Sequence, residues 1–188
     1  MRPRPSSGPV SRRPADDEIS VDDHRDLIER LRGDCVLKIF QQQSFWLCEL
    51  ASSLSTEQID RLHSPYTWTI RQVVEHCADA ERVFGDRMMR IAAGDQTDLP
   101  AWDENAYAAS RFGLGNFGHL VTELGFLREA NALLLRRIGP RVWDNRGKVD
   151  GKSVTVRGLA WVAAGHLAHH LRIIEDRCGV TVKMPPGG

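Results

Sequence analysis

Residues 158–177, GLAWVAAGHLAHHLRIIEDR, combine an apolar run with three histidines. Apolar residues recur at helical spacing through this stretch and Gly179 follows it, so the pattern predicts a helix from about residue 156 to residue 178. Successive residues of a helix are about 100° apart, which places His166 and His170 about 40° apart and one turn from each other. They share their side of the helix with apolar residues, so packing in a core would turn both imidazoles inward.

Three further segments repeat apolar residues at helical spacing, at about residues 22–50, 69–94 and 117–138. Gly33 could kink or split the first of them. The second starts with Thr69 and Gln72, whose spacing fits a capping box. Four long amphipathic segments with no convincing strand alternation elsewhere predict an all-α fold, a four-helix bundle.

The connections between these helices are long. Residues 94–116 are rich in loop-forming residues, although residues 104–111 could form a short helix. Residues 141–153 contain Asp150 followed by Gly151, a pair typical of a small hairpin or loop.

The two ends of the chain differ from the helical pattern. Residues 1–17 are rich in proline and arginine and poor in large apolar residues, so burial of this segment would offset little of its ordering entropy. We interpret residues 1–17 as a disordered tail, residues 18–180 as one bundle domain and residues 181–188 as a flexible tail.

Composition limits the classes of partner. The 25 basic and 25 acidic side chains among 188 residues cancel, which argues against nucleic acid or a membrane surface and favours a small-molecule ligand. The four cysteines lack CxxC spacing and suit reduced thiols, and no apolar segment has the length of a leader or of a membrane span. We therefore expect a cytoplasmic protein, which could form a homodimer.

A third histidine completes a pattern of metal ligands. His76 lies on an apolar stripe of the second helix, so a bundle could bring it to His166 and His170. Three imidazoles would leave a coordination position of a divalent transition metal open, as in catalytic rather than structural zinc sites. The alternative is that these histidines lie at the surface or form hydrogen bonds in the core.

Two sequence blocks carry a family resemblance. Residues 68–81, WTIRQVVEHCADAE, and residues 166–170, HLAHH, resemble the W-[ST]-x-x-[QE]-x-x-x-H-x-x-[DE] and H-x-x-H-H blocks of the DinB/YfiT-like family. The resemblance implies an up-down-down-up four-helix bundle. It also implies a divalent metal held by His76, His166 and His170. Imidazole accepts zinc, nickel, iron and manganese, and we take zinc as the first choice.

The resemblance also suggests a reaction class. Similar proteins include bacillithiol- and mycothiol-dependent transferases and isomerases, and others described as metal-dependent hydrolases. It implies a thiol-dependent S-transferase or a hydrolase that acts on a small electrophile, with a low-molecular-weight thiol as cosubstrate. The alternative is a non-catalytic bundle that binds a metal or a small ligand. A role in DNA binding, suggested by the family name, disagrees with the neutral charge.

Other residues could assist this site. Asp79 lies one turn beyond His76 and could accept a ring N–H from a ligand histidine, although it could equally be a solvated carboxylate. His169 could support the ligands or face the substrate. The long loop contributes candidates for the rim of a cleft: Trp102, Asp103, Asn105 and Tyr107.

Overall fold

The computed structural model describes residues 10–19, 22–110 and 115–183. Its α-helices are α1 (Asp22–Glu29), α2 (Val36–Ser53), α3 (Thr56–Asp60), α4 (Ile70–Ala92), α5 (Glu104–Ser110), α6 (Phe117–Arg137) and α7 (Val156–Cys178). Three short strands are β1 (Asp98–Leu99), β2 (Arg146–Val149) and β3 (Lys152–Thr155). Two 3₁₀ turns span Asp16–Glu18 and Pro140–Asp144.

The long helices α2, α4, α6 and α7 form the predicted four-helix bundle. Helices α4 and α7 run in opposite directions, because His76 meets His170 while Phe84, further along α4, meets the earlier His166. Helices α2 and α7 run in the same direction, because Gln43 contacts Ala164 and, further along both helices, Trp46 contacts Arg172. Helices α4 and α6 also run in the same direction, because Arg82 contacts Glu123 and, further along both helices, Gly85 faces Asn131. The topology is therefore up-down-down-up, as the family resemblance implied.

Local sequence signals set the ends of these helices. Gly33 adopts φ 95°, which separates α1 from α2 where the sequence predicted a weak point. The Thr69 side chain accepts a hydrogen bond from the Gln72 N–H, and the Gln72 side chain accepts from the Thr69 N–H, which confirms the capping box. Gly179 ends α7 in a left-handed conformation with φ 63°.

A small sheet packs beside the bundle. Strands β2 and β3 form an antiparallel hairpin whose two turn residues, Asp150 and Gly151, have φ values of 52° and 72°. Positive φ at both positions is typical of a type I′ turn, so the hairpin alternative at this sequence is correct. Strand β1 adds a parallel pairing to β2. That pairing was not predicted, since a strand of two residues has no detectable alternation.

The segment before α1 packs against the bundle. Ser11 and Glu18 are buried, and the Trp161 indole N–H donates to the Arg12 carbonyl at 2.7 Å. Glu18 also forms an ion pair with the buried Arg157 of α7. The disordered tail expected over residues 1–17 is therefore not seen at residues 10–17, where these polar contacts add to the packing of Val10 against the core. Residues 1–9 lie outside the described residues.

At the other end of the chain, the backbone N–H of Val182 donates to the Glu175 carboxylate at 2.7 Å. The rest of the expected flexible tail, residues 184–188, lies outside the described residues. The cysteines Cys35, Cys48, Cys77 and Cys178 are free thiols. Within the described ranges, no helix has the length and apolar character required to span a bilayer.

Helix α1 approaches α7 so closely at Gly165 that a side chain would not fit. A Cβ at this position would lie 2.9 Å from the backbone carbon of Leu27, whereas a Cβ at Gly125 of α6 would meet nothing within 4 Å. We expect Gly165→Ala to lower the free energy of unfolding by about 1–3 kcal/mol, because α1 must shift. The control Gly125→Ala should raise it by up to about 1 kcal/mol. Urea unfolding would measure both, and equal stabilities of the two variants would contradict this packing.

Candidate metal centre

The structure brings together the three histidines selected from the sequence. His76 projects from α4, while His166 and His170 lie one turn apart on α7. The Nε2 atom of His76 lies 3.0 Å from that of His166 and 3.1 Å from that of His170. One nitrogen from each of the three rings lies within 4.8 Å of the other two. No other group of three or more His, Cys, Asp or Glu residues converges in this way within the described residues.

This arrangement fits a divalent cation. Zn–N bonds of about 2.0–2.1 Å in a tetrahedral site place neighbouring ligand nitrogens about 3.3 Å apart, close to the two Nε2 separations observed. A neutral imidazole has one N–H donor and one acceptor nitrogen, so three Nε2 atoms that face each other cannot all be satisfied among themselves. A single cation would satisfy all three lone pairs.

Burial keeps the three imidazoles in the neutral form that binds metals. It lowers the pKa of His76 to about 4, and burial together with His76 and His169 lowers the pKa of His170 to about 3. Burial and the neighbouring His170 and His76 hold the pKa of His166 well below its usual range. All three rings are therefore neutral near neutral pH, and a metal would not have to displace protons from them.

Aromatic rings enclose the cluster. Trp102 stacks almost parallel on His76, with ring centroids 5.4 Å apart, and Tyr107 packs edge-on against Trp102 at 5.7 Å. Trp68 lies 5.2 Å from His76 on centroids, and Phe84 lies 5.7 Å from His166. The placement of Trp102 and Tyr107 agrees with their predicted position at the rim of the site.

Two other predicted rim residues have different surroundings. The Asp103 carboxylate accepts a hydrogen bond from the N–H of Ala106 at 2.9 Å, which caps the start of α5. Asn105 is exposed.

Glu104 is a residue of the site that the sequence did not reveal. Its Oε2 atom lies 3.7 Å from His76 Nε2. Burial and the nearby Asp103 raise the pKa of Glu104. A signal was available, since Glu104 follows the selected Trp102 and Asp103 and begins the short helix predicted there.

The two residues proposed to assist the ligands, Asp79 and His169, have different surroundings. Asp79 lies 4.0 Å from Arg82 and lines a cleft between α4 and α6, and no described hydrogen bond joins it to a histidine ring. This position favours the interpretation of Asp79 as a partly solvated carboxylate over its interpretation as an acceptor for the ring N–H of a ligand histidine. His169 contacts His170 edge-on, with ring centroids 5.1 Å apart, so it adjoins the cluster.

A cavity of about 250 Å³ reaches the cluster at His166. Its walls come from α4, α7, the β2–β3 hairpin, the start of α5 with the loop before it, and residues 19 and 24. Larger open clefts on the described surface, of about 470, 790, 610 and 530 Å³, are lined by none of the three histidines. The described pocket that can present a small molecule to His166 is therefore the smaller one.

The lowered histidine pKa values predict a pH dependence for the metal-free protein. In the unfolded chain the pKa of His170 returns to about 6.5, so that state takes up protons first as the pH falls. The free energy of unfolding should therefore decrease from about pH 6.5 towards the folded pKa of about 3. The variant His170→Gln should show a shallower decrease in urea unfolding over this range. Identical pH slopes for the two proteins would contradict the shift.

Comparisons with known proteins agree with this fold. YfiT from Bacillus subtilis, described as a probable metal-dependent hydrolase with an unusual four-helix bundle topology, superposes with a TM-score of 0.66 at 19% identity, over 92% of this chain and 99% of that chain. The mycothiol-dependent maleylpyruvate isomerase superposes with a TM-score of 0.62 at 14% identity, over 86% of this chain and 66% of that chain. Identities this low establish the fold alone.

No curated protein matches the sequence significantly. A sequence model of the DinB superfamily matches residues 47–174, a range that contains all three histidines and more than half of the chain. The chain therefore belongs to the DinB superfamily.

Proposed function

We propose that this protein is a metal-dependent enzyme that transfers a low-molecular-weight thiol to a small electrophile, or hydrolyses such a substrate. The observation that carries the proposal is the convergence of three imidazole Nε2 atoms, one of them on His166, at the wall of a cavity. In this proposal His76, His166 and His170 hold one divalent transition metal, with zinc as the first choice. A metal with an open position lowers the pKa of a bound thiol or water.

The surrounding residues would support such chemistry in distinct ways. Trp102 holds the ring of His76 by stacking and covers it from one side. Glu104, 3.7 Å from His76 Nε2, is our candidate for accepting the proton that a thiol or water releases. The cavity beside His166 would hold the electrophile. The free cysteines suit a reducing compartment, so we place the protein in the cytoplasm.

An assay of two reactions tests the proposal. Metal-loaded protein is mixed with a thiol (mycothiol, bacillithiol or glutathione) and monochlorobimane, and formation of the fluorescent S-conjugate is followed. Hydrolysis of 4-nitrophenyl acetate is measured in parallel without thiol. We expect one of the two rates to exceed the background rate in wild-type protein and to return to background in His166→Ala.

The outcomes separate the alternatives. Conjugate formation would favour the transferase, and ester hydrolysis without thiol would favour the hydrolase. Background rates for both reactions in protein that demonstrably holds a metal would contradict the enzymatic proposal and favour a non-catalytic binding protein.

A further inference from the structure

We propose that the cavity beside His166 selects small molecules with an apolar body and one anionic group, and that Arg87 and Lys152 bind the anionic group. The inference rests on the proposed function in one respect, that this cavity holds the substrate. It adds the class of substrate, which would be a small apolar carboxylate or a similar anion whose reactive atom faces the histidines.

Arg87 differs from the other arginines of its helix. Arg71, Arg82 and Arg90 of α4 each form an ion pair with a carboxylate, at Asp60, Glu123 and Asp95 respectively. Arg87 forms no ion pair with a carboxylate within the described residues, although it is half-buried and lines the cavity; its nearest charge is the adjacent Asp86, which attracts it without contact. Its Nη2 group donates to the carbonyl of Pro100 at 2.8 Å.

Burial of an unpaired guanidinium is costly, and an anionic ligand would offset that cost. The guanidinium has five N–H donors in a planar fork, so it can hold Pro100 and still bind a carboxylate.

A second cation lines the same cavity. Lys152 begins β3, and within the described residues it forms no ion pair. Two acidic residues also line the cavity, Asp150 and Glu104, but neither forms a described ion pair with Arg87 or Lys152. Glu104 instead lies close to His76. The two cations are therefore available to a ligand on the described surface of the cavity.

The remaining walls define the rest of the ligand. Phe84, Leu159 and Val162 provide apolar surface in the same cavity as the two cations and His166. The indole Nε1 of Trp102, which also lines the cavity, is buried without an acceptor in the described part of the chain. An oxygen of the ligand could accept from it. The cavity of about 250 Å³ is smaller than a typical drug-sized pocket of about 300–1,000 Å³, which limits the ligand to a small molecule.

A matched pair of probes tests this inference without turnover. Binding of 3-phenylpropionate and of its neutral amide to metal-loaded protein is measured by isothermal titration calorimetry. We expect the acid to bind wild-type protein at least about tenfold more tightly than the amide, which corresponds to about 1.4 kcal/mol. Arg87→Gln should reduce this preference to less than about threefold, and Lys152→Gln should reduce it partly. Arg82→Gln, on the same helix but outside the cavity, should retain the wild-type preference.

Two results would overturn the inference. One is equal binding, or no binding, of the acid and the amide to wild-type protein. The other is a preference for the acid that survives in Arg87→Gln but disappears in His166→Ala, because the carboxylate would then bind the metal rather than Arg87. Failure of the proposed function looks different, since the preference for the acid would persist in a protein without thiol-transfer or hydrolytic activity.

Discussion

Replacement of His170 by alanine should weaken the binding of Zn²⁺ by about two to three orders of magnitude. Structural zinc sites with four ligands have apparent binding free energies of about 10–16 kcal/mol, so one ligand contributes about 2.5–4 kcal/mol. His170 Nε2 lies 3.1 Å from His76 Nε2, within the range expected for two ligands of one ion. Competition with a chromophoric chelator would measure the affinity, and circular dichroism would show that the variant is folded.

Two other histidines serve as controls for this prediction. His119→Ala changes an exposed residue on α6 and should leave the affinity for Zn²⁺ unchanged. His169→Ala removes the edge contact with His170 and should weaken binding by at most about 10–100-fold, the range seen for residues that orient ligands. Wild-type affinity in His170→Ala would show that His170 is not a ligand.

Replacement of Arg128 by methionine should produce the largest loss of stability. Arg128 and Glu81 form an ion pair at 3.0 Å with side chains only 1% and 2% exposed. Arg128 also stacks on Phe40 and donates to the Ala163 carbonyl, so it links α2, α4, α6 and α7. Arg128→Met leaves the Glu81 carboxylate buried without its cation, and we expect the free energy of unfolding to fall by about 3–5 kcal/mol.

Chemical denaturation would measure this loss against two references. The double variant Glu81→Gln/Arg128→Met removes both charges and should recover most of the stability. Arg136→Met removes an exposed ion pair with Glu129 and should cost at most about 1 kcal/mol. Similar losses in Arg128→Met and Arg136→Met would show that the buried pair is not important for stability.

The sequence predicted the parts of the fold that depend on local pattern. The four long helices, the break near Gly33, the capping box at Thr69 and the hairpin at Asp150 follow from periodicity and turn chemistry. The sequence also selected the three histidines that the structure brings together, because the i, i+4 spacing of His166 and His170 and the apolar stripe around His76 are local features.

Contacts between distant segments were not predictable in the same way. The proximity of Glu104 to His76 depends on how a long loop folds over α4. The pairing of Glu81 with Arg128 requires the packing of α6 against α4. Residues 10–18 pack against α7 through polar contacts with Arg157 and Trp161, which a hydrophobic pattern does not reveal.

The central claim is that His76, His166 and His170 hold a metal. Elemental analysis of protein purified without a histidine tag tests it most directly. The three converging imidazoles predict about one transition-metal ion per chain. Absence of bound metal, even after incubation with zinc, nickel, iron and manganese salts, would contradict the claim.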